Sequence, residues 1–242
     1  MKSFWRVLGV AGFYSVWIRR QWMWLVQALL MPLGLILIVY GWAGVEGVKL
    51  IIPIFIVTSM WGFGLNIIGQ SVGYDRITRE WERIIASQLT ISEYFAGMIL
   101  GMLPLGLADI APLVAIAILW GFDIKLLLVA IGLSPLAMAI GAFFSLAIVL
   151  RIKHPMNISA ITNPLYFLTT FLPPVFYPSS ILPEPVRTSV LAIPTASFAE
   201  IIRALAAGSY TSRQVCFAGL SVLVWLTLSA IATKRALKWG LE

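Results

Sequence analysis

Residues 74–97 read YDRITREWERIIASQLTISEYFAG and hold seven charged side chains, Asp75, Arg76, Arg79, Glu80, Glu82, Arg83 and Glu93. On either side the chain is almost wholly apolar for about twenty residues. An ionised side chain at a membrane-helix centre costs about 2.5–3.5 kcal/mol. The charged run therefore belongs in water, between two membrane spans. Its first half carries Ile77, Trp81, Ile84 and Ile85 at i, i+4, i+7 and i+8, one apolar face of a helix. Arg76 with Glu80, and Glu80 with Arg83, stand at the spacing of helical ion pairs. Thr90-x-x-Glu93 reads as a capping box that restarts a helix ahead of the next apolar run. The expectation is a short amphipathic helix with Trp81 exposed, presented between two spans.

Composition agrees. Of the 242 residues, 60% are hydrophobic and 11% charged, and the mean hydropathy is +0.96. Soluble domains carry about 25% charged residues, so the chain is an all-α polytopic membrane protein. The lone cysteine, Cys216, lies in an apolar run and is expected to be a buried structural thiol; one cysteine makes no disulfide or cysteine metal site within a chain. The net charge of +7 reads as basic inner loops rather than as a nucleic-acid surface. No cleavable leader is expected, because Arg19 and Arg20 interrupt the first apolar stretch. Lys2 and Arg6 beside Phe4, Trp5, Leu8 and Trp17 fit an amphipathic interfacial helix over 1–21.

Six transmembrane helices are expected within 22–242, at 22–41, 48–70, 98–120, 126–150, 158–177 and 214–233, each near the ~20 residues a bilayer requires. With the N-terminus in the cytoplasm, inner segments hold twelve Lys and Arg, Lys238 among them, and outer ones five. That asymmetry places both termini and the 74–97 run inside. The connections AGVEG (43–47) and GFDIK (121–125) read as tight outer hairpins, and RIKHPMN (151–157) as a short inner loop. The outer segment 178–213 is proline-rich yet apolar, which excludes one continuous helix. It is expected as a broken, re-entrant pair of short helices before the last span, packed on its own bundle.

Span three alone carries a carboxylate near its centre, Asp109, with Pro112 one turn on. Two readings stand: it lines a path or a subunit contact, or it is a hydrogen-bonded structural acid. Asn66, Gln70 and Gln27 can face the same interior, where bonding between helices is the plainer role. Gly69-Gln70-Ser71-Val72-Gly73 matches G-x-S-x-G, but it ends a membrane helix instead of forming a strand-to-helix elbow. His154, before Pro155, reads as a solvated loop residue. Asn157-Ile158-Ser159 is a formal glycosylation sequon on the inner side and is discounted. The phosphate-binding pattern G-x-x-x-x-G-K-[ST] does not occur, so any ATP is bound by another chain. No catalytic residues and no metal site are expected.

The chain resembles the membrane-spanning permease of type-2 ABC exporters over nearly its whole length. Two stretches carry the likeness. In the first, Asp75-Arg76 and Glu82-Arg83-Ile84-Ile85-Ala86-Ser87 fit the family's charged inner loop. Glu80-Trp81 replaces its Gly-Thr step, and Gln88 stands where proline is usual. In the second, Asn163-Pro164-Leu165-Tyr166-Phe167-Leu168, Pro178, Leu182-Pro183, Pro194, Glu200-Ile201-Ile202-Arg203 and Gly208 are similar to its C-terminal signature.

The resemblance implies a coupling region at 74–97 that docks on a separate nucleotide-binding ATPase. Asp75, Arg76, Arg79, Glu80, Trp81, Glu82 and Arg83 would form the contact, with Trp81 as anchor and the charges setting orientation; the plainer alternative is interfacial anchoring. It implies a second permease, identical or not, and a cell-membrane location among lipids. ATP and Mg would sit on the ATPase, with no cofactor on this chain. Asn66 and Asp109 are candidates for the path. The function implied is ATP-driven export of a lipid, drug, glycan or other substrate. An ATP-independent channel or ion-coupled carrier using Asp109 is the alternative.

Overall fold

The computed structural model describes residues 2–20, 22–87, 89–154, 156–208 and 213–236, with the side chains of Lys2, Trp17 and Ile85 excepted. The expectations for those three side chains, and for Gln88, Pro155 and Lys238, lie outside the described residues. The elements are helical: α1 (Lys2–Arg20), α2 (Met23–Gly62), a π-helical turn (Phe63–Ile68), α3 (Gly69–Ile77), α4 (Glu80–Ala86), α5 (Ile91–Leu119), α6 (Ile124–Val149), α7 (Met156–Thr170), α8 (Val186–Ser189), α9 (Pro194–Ala206) and α10 (Arg213–Ala236).

Four helical stretches are long and apolar enough to cross a membrane, Met23–Ile77, Ile91–Leu119, Ile124–Val149 and Arg213–Ala236. A fifth is added if Val186–Ala192 and Pro194–Ala206, bent by 112° from each other, count as one span. The first stretch has 55 residues, about 80 Å if straight, far beyond a ~30 Å hydrocarbon core. It breaks at Gly44, with φ 63° and ψ −162°, a region essentially reserved for glycine. That break falls inside the expected AGVEG hairpin. The segment expected at 158–177 is not one long helix, because α7 ends at Thr170 and irregular chain follows.

The capping box forms as expected. Thr90 N–H donates to Glu93 Oε2 at 2.9 Å, and Glu93 N–H donates to Thr90 Oγ1 at 3.3 Å. The proline-rich segment 178–213 is broken, and α9 packs on α2, α6 and α10. Cys216 is exposed instead of buried. Helix α10 turns Ala218, Ser221, Val222 and Ser229 inward against its neighbours, and Cys216 falls on the outer side with Leu220, Leu223 and Phe217.

Two buried clusters hold the bundle. One centres on Trp61 and joins α2, α5, α6, α9 and α10 through Ile52, Leu113, Ile140, Phe198 and Val222. The other centres on Tyr94 and joins α1, the π turn, α3, α5 and α6 through Val10, Met98, Ile68, Val72 and Leu146. Since lipid tails are as apolar as leucine, close packing by small residues does much of the work. Gly64 lies against the Met138 carbonyl, and a Cβ on Gly141 would fall 2.5 Å from the Trp61 carbonyl oxygen. The backbones of α6 and the π turn therefore touch. On α5, a Cβ on Gly97 would stand 2.7 Å from the Val7 carbonyl, and one on Gly101 2.5 Å from that of Ala11. This pair seats α1.

Replacing Gly141 by Leu is expected to force α6 off the π turn and destabilise the chain by about 1–3 kcal/mol or more. Gly132→Leu, on the open side of the same helix, is expected to leave stability within about 0.5 kcal/mol. Thermal unfolding in mild detergent, followed by the loss of monodisperse protein, compares the two.

Candidate functional site

Between the first half of α2, the π turn, α3, α5 and α7 lies a cleft of ≈ 590 Å³. It brings together Asn66 and Asp109, the two residues singled out as path candidates, and adds Gln27 and Gln70. Asn66 stands on the π turn. Such turns are rare and recur at functional sites. The glycine contacts with α6 fix the back of this turn, and its open side carries the amide. Asp109 is half-buried on α5, within hydrogen-bonding reach of the Ser59 side chain on α2. Pro112 lies inside α5; having no N–H, it leaves the Ala108 carbonyl, next to Asp109, without its helical donor. The helix nonetheless continues to Leu119.

Helix α7 forms the facing wall and is pinned at three levels. Gln70 Nε2 donates to Thr162 Oγ1 at 2.6 Å and stands 3.3 Å from Asn163 Oδ1. The Tyr166 ring covers Gly62, where a Cβ would lie 2.6 Å from it. Trp61 Nε1 donates to Thr169 Oγ1 at 3.1 Å. The mouth is flanked by the exposed side chains of Trp24 and Met31 on α2 and Phe167 on α7. Ser71 of the G-x-S-x-G pattern also faces this cleft, but it lies within α3 and contacts Met102 Sδ at 3.8 Å. The exposed His154 sits on another segment.

The charged run differs from its expected form. Helix α3 ends at Ile77 and α4 begins at Glu80. Between them Arg79 adopts a left-handed conformation, φ 64° and ψ 11°, which costs a non-glycine residue about 1 kcal/mol or more. Arg76 and Glu80 are therefore not on one helix. Glu80 pairs instead with Arg83 at 2.9 Å, as expected. Trp81 is not exposed: 8% of it is accessible, and its ring meets that of Tyr94 edge-on at 5.5 Å. The apolar face formed by Ile77, Trp81 and Ile84 exists, but it turns inward onto α1 and α5. Burial of a large aromatic outweighs its display. Arg76, Arg79, Glu82 and Arg83 remain exposed, and Asp75 and Glu80 are half-buried.

Asp75 is drawn into a cluster that sequence reading missed. Tyr14 of α1 and Tyr94 of α5 both donate hydroxyl protons to its Oδ2, the second at 2.7 Å. The two hydroxyls are 3.0 Å apart. Burial, and then the Asp75 carboxylate, push the Tyr14 phenol well above its ordinary value, so it stays a donor. Arg6 of α1 approaches Glu93 at 3.7 Å. A groove of ≈ 320 Å³ runs between α1 and α4, with Arg6 and Arg83 on its rim and Phe13, Ile84 and Leu89 within. The one available signal was a pair of tyrosines, Tyr14 in the N-terminal amphipathic stretch and Tyr94 within the charged run.

On α9, Arg203 Nη2 donates to the carbonyls of Pro174, Val175 and Tyr177 at 2.8, 2.6 and 2.9 Å. Glu200, 3.6 Å from Arg203, accepts from Ser179 Oγ at 3.0 Å. The E-x-x-R pattern thus satisfies carbonyls that the proline-rich bend leaves without helical donors.

Residues 5–206 match the sequence profile described as ABC-2 type transporter. No curated relative and no solved structure matched the chain.

Trp81→Ala is expected to destabilise the isolated chain by about 3–5 kcal/mol, a core effect read by thermal unfolding without any partner. In a Cys216→Ser background, single cysteines at Asn66 and Asp109 are expected to react with a water-soluble maleimide. A cysteine at Leu113, buried on the same α5, is expected not to react; labelling is read by gel shift.

Proposed function

The chain belongs to the ABC-2 type transporter family, and on that premise we propose that it forms the translocation pathway of an ATP-driven exporter whose ATPase is a separate subunit. Family and apolar helices together make it a multi-pass ABC-transporter permease. The finer reading has six passes, with the long first stretch divided at Gly44 and α7 continued by irregular chain. Both termini are cytoplasmic, in line with the Lys and Arg asymmetry, and the membrane is the cell membrane. A second permease, identical or related, completes the pathway, and lipid covers the remaining apolar face. ATP and Mg bind the ATPase.

The observation that carries this reading is the cleft itself. A mostly apolar cavity that gathers Asn66 and Asp109 holds polar groups where they are costly, and such intramembrane groups mark substrate pathways. Its connection to the charged lobe supports coupling. Tyr74 lines the cleft, and the next residue, Asp75, takes the two tyrosine hydrogen bonds. Movement of α4 bears on Tyr94 through Trp81, and so on Asp75, α3 and the cleft wall. The docking face is the exposed charged edge, Arg76, Arg79, Glu82 and Arg83, together with the groove between α1 and α4. Trp81 acts beneath that face as a support, not as an anchor inserted into the partner.

The Asp109 carboxylate in the cleft also favours the second reading, an ion-coupled carrier independent of ATP. Capture separates the two. A tagged chain in mild detergent is expected to retain an ATPase, and ATP is expected to change transport in vesicles. The double reversal Glu82→Arg with Arg83→Glu is expected to reduce capture about tenfold while costing about 1 kcal/mol or less of stability through loss of the exposed Glu80–Arg83 pair. An intact chain that captures no ATPase, with transport indifferent to ATP, sinks the exporter reading.

A further inference from the structure

The lining of the cleft is chemically one-sided. Its hydrogen-bonding groups are carboxamides and hydroxyls, notably Asn66, Gln70 and Ser59, and its one ionisable acid is Asp109. Among the described residues that line it there is no lysine, arginine or histidine. Aromatic rings supply much of the remaining wall, Trp24, Tyr74 and Tyr166 among them. The volume, ≈ 590 Å³, lies within the range that encloses a drug-sized molecule.

These features select by charge. An anionic headgroup entering here loses water, meets a carboxylate, and finds no cation to replace its counterions. Loss of hydration without a partner is the dominant cost of moving an ion into an apolar bundle. A cation entering the same space meets the Asp109 carboxylate. It also meets the negative faces of aromatic rings, which attract ammonium-like and other organic cations. The carboxamides then accept or donate to neutral polar substituents without demanding a charge.

We propose that this cleft binds amphiphilic organic cations, with Asp109 as the counter-charge and Trp24, Tyr74 and Tyr166 as walls for the apolar body. This rests on the cleft being the substrate path, but not on how transport is energised. It sets aside substrates carried by a phosphate or pyrophosphate group.

The test uses two ions of nearly the same shape and opposite charge, tetraphenylphosphonium and tetraphenylborate. Equilibrium dialysis of each against the full chain in non-ionic detergent reads binding. Saturable binding of tetraphenylphosphonium is expected, without saturable binding of tetraphenylborate. Asp109→Asn is expected to weaken the phosphonium about tenfold or more, given the strength of a close ion pair in a partly buried site. Asp109→Glu, which keeps the charge, is expected to stay within about threefold of the natural chain. Equal or tighter binding of tetraphenylborate overturns the proposal, as does unchanged phosphonium binding in a well-folded Asp109→Asn chain. Where that variant fails to fold, the comparison of the two ions on the natural chain decides alone. ATPase capture is read separately. Charge-selective binding without capture removes the exporter reading and keeps the site; capture with binding indifferent to charge does the reverse.

Discussion

Direct contact between the backbone of α6 and that of the helix carrying Asn66 governs the geometry of the whole bundle. Gly64 rests on the Met138 carbonyl and Gly141 on that of Trp61. A side chain at either place would hold the helices apart. In lipid, with little hydrophobic force between helices, this close approach supplies dispersion contacts that looser packing forfeits. It also supports a π-helical turn from behind. The turn leaves Asn66 on the open side, lining the same cleft as Asp109. Tyr166 over Gly62 repeats the device on the facing wall.

Several buried polar groups of this bundle take their partners from other segments. Asp75 gains two tyrosine hydroxyls. Arg203 gathers three carbonyls left by the proline-rich bend, and Glu93 closes a capping box while standing near Arg6. Each of these ties together segments distant in sequence. Asp75 joins α1, α3 and α5, while Arg203 holds the irregular chain after α7 to α9. Removing one partner of such a group leaves the other buried and unsatisfied, at about 1–3 kcal/mol or more. Asn66 and Asp109, which line the cleft, give the cavity its chemistry.

The charged lobe and the cleft are two ends of one short element. Helix α3 presents Tyr74 to the cleft and Asp75 to the tyrosine pair, and it is followed at once by the left-handed Arg79 and α4. With Trp81 buried against Tyr94, α4 is mechanically attached to α5 and α1. A lobe of this construction moves with the bundle, which suits the proposed transmission from a docked ATPase to the path.

The sequence by itself determined the class, an apolar helical chain whose charged interruption must lie in water. It determined the capping box, a break at Gly44 and a broken proline-rich segment before the last helix. It also marked Asn66 and Asp109 as polar residues with no reason to face lipid. These are legible because hydropathy, helix caps, glycine and proline act over a few residues. Only the tertiary structure decided which way the α4 face turns, where Cys216 points, and that Asp75 serves Tyr14 and Tyr94. Helical periodicity states that Ile77, Trp81 and Ile84 share a side, but not whether water or another helix lies beyond it. That answer comes from α1 and α5, distant in sequence, whose Gly97 and Gly101 let them close over the site.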